Sequence, residues 1–106
     1  DVYKRQLLDF TFTTEKDFSI EELNARLEAA AKNGLSGILD VNEIPLVSTD
    51  FGNDSHSVIF DKSHTRKIGK TTKILAWYDN EWGFSNRMLD VANYLNQISK
   101  KSSQAA

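Results

Sequence analysis

The sequence predicts an α+β fold: a mixed, mainly antiparallel sheet with a helix after its first strand and a second helix at the C-terminal end. Three patterns carry that prediction. "LLDFTFTT" alternates strictly, with Leu8, Phe10 and Phe12 on one face and Asp9, Thr11 and Thr13 on the other, as a half-buried strand does. "DFSIEELNARLEAAAKNG" follows with the 3.6-residue apolar period of a helix. Phe84, Met88, Val91, Leu95 and Ile98 repeat that period near the other end.

The elements can be justified in order. In the first helix Ser19 is placed to cap the free amides, with Glu22 three residues on to close a capping box and Phe18 set to staple against Leu23. Ile20, Leu23, Leu27 and Ala31 form its apolar stripe, and Gly34 suits a left-handed stop. Three short apolar pieces, "GILDV", "PLVSTDF" and "SVIFD", then supply further strands. "KILAWY" is apolar on both alternating faces apart from Lys73, which predicts a central, covered strand. The second helix is expected over 83–99, with 100–106 as a fraying polar tail. Residues 1–6, "DVYKRQ", have no strand or helix period and resemble translated adapter read-through, so residue 7 is expected to lie inside a longer gene.

Composition narrows the function classes. A chain of 106 residues is about one domain long, and its 40% hydrophobic and 26% charged residues are those of a soluble globular protein. A net charge of −2 gives no reason to expect a nucleic-acid or anionic-membrane partner. No apolar run reaches the roughly 18 residues that span a bilayer. The absence of cysteine removes disulfides, thiolate metal sites and thiol nucleophiles together, and fits a reducing compartment.

Several short motifs are better read as structure. Asp50-Phe51-Gly52 spells a kinase magnesium triplet, but the glycine-rich loop and catalytic-loop signatures that give it meaning are missing. Asn53-Asp54-Ser55 matches a glycosylation acceptor, which has no consequence without secretion. Asp50, Asp54, His56, Asp61 and His64 offer metal-ligand atoms, but their spacing fits neither a calcium loop nor a helical zinc pair; a polar hairpin capping its own turns is the plainer account. Lys62, His64, Arg66, Lys67, Lys70 and Lys73 invite a phosphate-binding reading, against which stands a solvated strand face. No aromatic residues interleave with them to stack on nucleic-acid bases.

"WYDNEWGFSNRMLD", with "PLVSTDF" and "HSVIFD" upstream, resembles the C-terminal part of the glyceraldehyde-3-phosphate dehydrogenases and of their relatives, the D-erythrose-4-phosphate dehydrogenases. The likeness runs in order from about residue 7 to about residue 99, and it makes residues 7–82 the C-terminal part of the family's catalytic domain. It implies an NAD-dependent oxidation of a phosphorylated sugar aldehyde by a cytoplasmic homotetramer. Asn80 matches the family asparagine that hydrogen-bonds the nicotinamide carboxamide of NAD; read from the residues alone, Asn80 is a helix cap. Asp79 and Glu81 are expected to satisfy turn backbone and to pair with neighbours such as Arg87.

The family's catalytic cysteine and histidine precede the region matched here, so no catalytic residue is assigned and the chain alone is expected to be inactive. In the complete enzyme a thiolate attacks the aldehyde, hydride passes to NAD, and phosphate or water resolves the thioester. Phe84, where the glycolytic branch usually carries tyrosine, together with "IPLVS", "HTRKIG" and "FSNRMLD", favours erythrose 4-phosphate as substrate, giving 4-phosphoerythronate for pyridoxal phosphate synthesis. Glyceraldehyde 3-phosphate is the alternative, and a non-catalytic interaction module is the reading from another class.

Overall fold

The computed structural model describes residues 5–104, with side chains over residues 6–101. In chain order they form β1 (Arg5–Thr13), α1 (Ile20–Lys32), β2 (Leu39–Asn42), a 3-10 turn (Ser48–Phe51), β3 (Val58–Ile68), β4 (Thr71–Asp79) and α2 (Trp82–Gln104). The strands make one sheet in the order β1-β4-β3-β2. β4 is antiparallel to both of its neighbours, whereas β2 runs parallel to β3. This is the mixed, mainly antiparallel α+β arrangement that the sequence predicts, and "KILAWY" is indeed an interior strand.

Partners across an antiparallel ladder share a face, so the register sorts the side chains. Leu8, Ala76 and Phe60 stand on one face with Phe10, Ile74 and Phe12; Leu7, Trp77 and Ile59 stand on the other with Asp9, Leu75 and Asp61. β1 starts two residues earlier than its own alternation suggests, because Arg5 and Gln6 pair with Asp79 and Tyr78. β3 outruns its apolar start for the same reason: its ladder with β4 resumes beyond an irregularity between Asp61 and Arg66 and continues to Ile68. A two-residue turn then returns the chain, with Gly69 taking φ +55°.

α1 lies on the Phe60 face. Its polar anchor is buried Asn24, whose Oδ1 accepts from Thr65 Oγ1 at 3.0 Å. Ser19 Oγ accepts from the Glu22 amide at 3.0 Å, but the Glu22 carboxylate turns to Arg26, so only half of the expected capping box forms. The helix stops at Asn33, whose side chain donates to Ala29 O at 2.6 Å; the left-handed residue is Gly37 at φ +74°, not Gly34. A second correction concerns "PLVSTDF". It is a 3-10 turn rather than a strand, closed by Asp50 Oδ2 accepting from the Val47 amide at 2.8 Å. The turn drives Phe51 into the opposite sheet face, where it stacks on Trp77 with centroids 5.2 Å apart.

α2 continues to Gln104, beyond the expected end at residue 99. Every described side chain after Arg87 is exposed, including Met88, Val91, Leu95 and Ile98 of the predicted stripe. The radius of gyration is 17.0 Å, against roughly 13 Å for a compact domain of this length. No helix among the described residues is long and apolar enough to cross a membrane.

Candidate functional site

The join between β4 and α2 gathers the residues that the sequence singles out. β4 enters it firmly, held by β1 as far as Asp79 and by β3 as far as Trp77. Trp77 is clamped between Phe51 on its face and Asp61, whose Oδ2 accepts from the indole N–H at 3.4 Å. Asp61 is 3% exposed. Burial pushes its pKa up, but hydrogen bonds from His64, Ser63 and Trp77 outweigh that effect and hold the carboxyl below its ordinary value.

At the strand end Asp79 Oδ1 accepts from the amides of Glu81 and Trp82, each at 3.0 Å. These are free donors at the start of a helix, and a carboxylate beside them also suits the helix dipole. Asp79 therefore does the capping that residue-level reading gives to Asn80. Asn80 itself is exposed, and its side-chain amide makes no hydrogen bond within the described residues. Adjacent Asp and Asn have the same capping chemistry, so sequence alone could not assign the cap to one of them.

The helix start is seated against the segment before β3. Gly83 is buried, and a Cβ there would lie 2.8 Å from the backbone oxygen of His56. Arg87 Nη1 donates to Ser57 Oγ at 3.2 Å, while its other nitrogens pair with Asp90 rather than with the expected Asp79 or Glu81. Gly83 and Ser57 were missed at the sequence level, since a close backbone approach leaves no local pattern.

The five possible metal ligands do not converge. Asp50 closes its own turn, Asp61 pairs with His64 at 3.0 Å, and Asp54 Oδ1 takes both the amide and the ring nitrogen of His56, at 2.8 and 2.6 Å. Exposed Asp40 brings a third ligand atom within 4.8 Å of the Asp54–His56 pair. The hydrogen bonds of that pair are those of a self-capped turn.

The cations of β3 and β4 are largely matched. Lys62 bridges Glu28 and Glu43, Lys67 meets Asp17, and Lys73 meets Asp9. A groove of about 440 Å³ between Phe12, Phe18 and Leu23 lies at the far end of the sheet, off the Asn80 turn.

Residues 2–80 match the model of the glyceraldehyde 3-phosphate dehydrogenase C-terminal domain. The chain is 51% identical over 86 residues to the chromosomal glyceraldehyde-3-phosphate dehydrogenase of Cupriavidus necator, a match covering 81% of this chain and 26% of that protein. The enzymes of the same name from Zymomonas mobilis and Pseudomonas aeruginosa are each 50% identical, over 88 and 86 residues; both matches cover 81% of this chain, and 26% and 25% of those proteins. The chain thus spans about a quarter of the length of these curated relatives. All three carry the name of the glycolytic branch, which the sequence reading placed second to the erythrose branch. By this match the chain belongs to the glyceraldehyde-3-phosphate dehydrogenase family, as sequence of its C-terminal domain.

Proposed function

We propose that the chain is part of an NAD-dependent glyceraldehyde-3-phosphate dehydrogenase and that Asn80 orients the nicotinamide. The observation that carries this reading is the Asn80 amide, exposed and not engaged in capping at the end of a fixed central strand. A primary amide offers one donor group and one acceptor to a carboxamide bearing the same pair. That contact sets the rotation of the ring and hence the face that receives hydride. NAD supplies the hydride acceptor.

The chain contains no cysteine and spans about a quarter of its relatives' length, so the reading assigns the nucleophile, and with it the base and most of the cofactor pocket, to sequence outside residues 1–106. The family's homotetramer and cytoplasmic location are part of the same proposal. Phe84 with "HTRKIG" supports a second reading, in which erythrose 4-phosphate is oxidised and water resolves the thioester.

The test uses the full-length enzyme with both sugar phosphates, with and without inorganic phosphate. Phosphate-dependent turnover of glyceraldehyde 3-phosphate is expected. Faster, phosphate-independent turnover of erythrose 4-phosphate would establish the second reading. Asn80→Ala should raise the KM for NAD and lower kcat without moving the melting temperature. A stability loss of about 1 kcal/mol with unchanged kinetics would return Asn80 to a capping role.

A further inference from the structure

Orienting a ring demands that the amide be held to within about 0.5 Å, yet Asn80 lies exposed in the short link between β4 and α2. Two contacts confine that link. Asp79 Oδ1 takes the amides of Glu81 and Trp82, so the Asp79 side chain closes a ring of backbone around Asn80. On the helix side, the bare Cα of Gly83 lets the first turn of α2 press against His56 O and Ser57 Cα, where a Cβ would stand at 2.8 and 3.5 Å.

The opposing surface is firm. Asp54 Oδ1 fixes the His56 amide and ring, and Arg87 from the second turn of α2 bonds Ser57 Oγ. A methyl group at residue 83 meets backbone, so helix and segment must separate by roughly 0.5–1 Å to reach ordinary contact.

We propose that Asp79 and Gly83 are positioning residues for Asn80: one shapes the turn and the other seats the helix that follows it. The proposal rests on the assignment of Asn80 to the nicotinamide. Neither residue needs to touch the cofactor, and each acts on catalysis through the place it gives the amide.

A set of variants in the full-length enzyme tests it, with kcat and KM for NAD measured beside the melting temperature. Gly83→Ala should lower kcat/KM on the order of 100-fold and Asp79→Ala about tenfold, as displacement of an orienting group does. Asp79→Asn, which keeps the Oδ1 acceptor, should restore the activity that Asp79→Ala loses. In an Asn80→Ala background, Gly83→Ala and Asp79→Ala should each add less than about a twofold loss, because their target is already gone. Full additive losses in that background would overturn the proposal, as would losses at Asp79 that Asp79→Asn fails to restore. Should Gly83→Ala not fold, the Asp79 pair and its doubles decide the matter. Unaltered kinetics in Asn80→Ala itself would instead refute the nicotinamide assignment.

Discussion

α1 and α2 have the same kind of apolar stripe and opposite fates. In α1, Ile20, Leu23, Leu27 and Ala31 are all half-buried, and Asn24 ties the helix to β3 through Thr65. In α2, Phe84 is 63% and Ile98 47% exposed, with the rest of the stripe in between. Amphipathic spacing says which face of a helix seeks cover. It does not say whether the cover lies in the same stretch of chain. α1 finds the sheet within these residues, whereas among the described residues the side chains of α2 are all exposed beyond its first two turns.

The largest expected effect lies beneath α1. Phe60 is 2% exposed and shares its face with Ala76 in the centre of the sheet. Phe60→Ala should cost about 3–5 kcal/mol, measured by urea unfolding of the full-length enzyme. A loss below about 1 kcal/mol would mean that the docked side has no tighter core than the undocked one.

Asn24 sharpens the same contrast. It is the most buried described side chain of α1, and removing its amide strands the Thr65 hydroxyl. Asn24→Ala should therefore cost about 1–3 kcal/mol, and Asn24→Ala with Thr65→Val should cost less than the single change. An additive double variant would show that the bond contributes nothing beyond packing.

What was legible followed from how local each signal is. The α1 cap at Ser19 and the strand state of β1 depend on neighbours within a few residues, and both could be read directly. The half-burial expected of β1 could not, since Leu8 and Phe10 stand 45% and 49% exposed on the face expected to be covered. "PLVSTDF" could not, because a short apolar run is compatible with any buried backbone; it becomes a 3-10 turn where Phe51 finds Trp77, distant in sequence. The polar second half of β3 is a strand only because β4 folds back along it. At the candidate site the resemblance pointed to Asn80, but the cap at Asp79 and the seat under Gly83 are facts of geometry.

Acid should loosen the sheet on both faces, through Glu28 on the α1 side and Asp61 on the Trp77 side. The hydrogen bond from Lys62 lowers the pKa of Glu28 on α1 despite partial burial, with the charges of Lys62 and Lys32 acting in the same direction. Asp61 on β3 is lowered as well: its bonds from His64, Ser63 and Trp77 outweigh burial. A carboxylate with a depressed folded pKa adds stability that is complete above its unfolded pKa and is lost as pH falls through the folded one. Stability should thus decline as pH drops below about 4, less steeply in Asp61→Asn than in the parent chain. An identical acid slope in the variant would remove Asp61 from the account.

The smallest expected effect tests the undocked helix. Val91 and Leu95 lie one turn apart on the stripe, 58% and 60% exposed. In the 106-residue chain alone, Val91→Ser with Leu95→Ser should change unfolding stability by less than about 0.5 kcal/mol, as exposed substitutions do. If the longer protein covers this face, the same pair should there cost about 1.5–3 kcal/mol per side chain, the worth of burying each one. The contrast between the two settings is the measurement. A comparable loss in the short chain would mean that α2 already finds cover there, and sedimentation would tell whether that cover is a second copy. Equal and negligible losses in both settings would mean that the stripe faces water throughout. The difference between the helices would then lie in what each face is for.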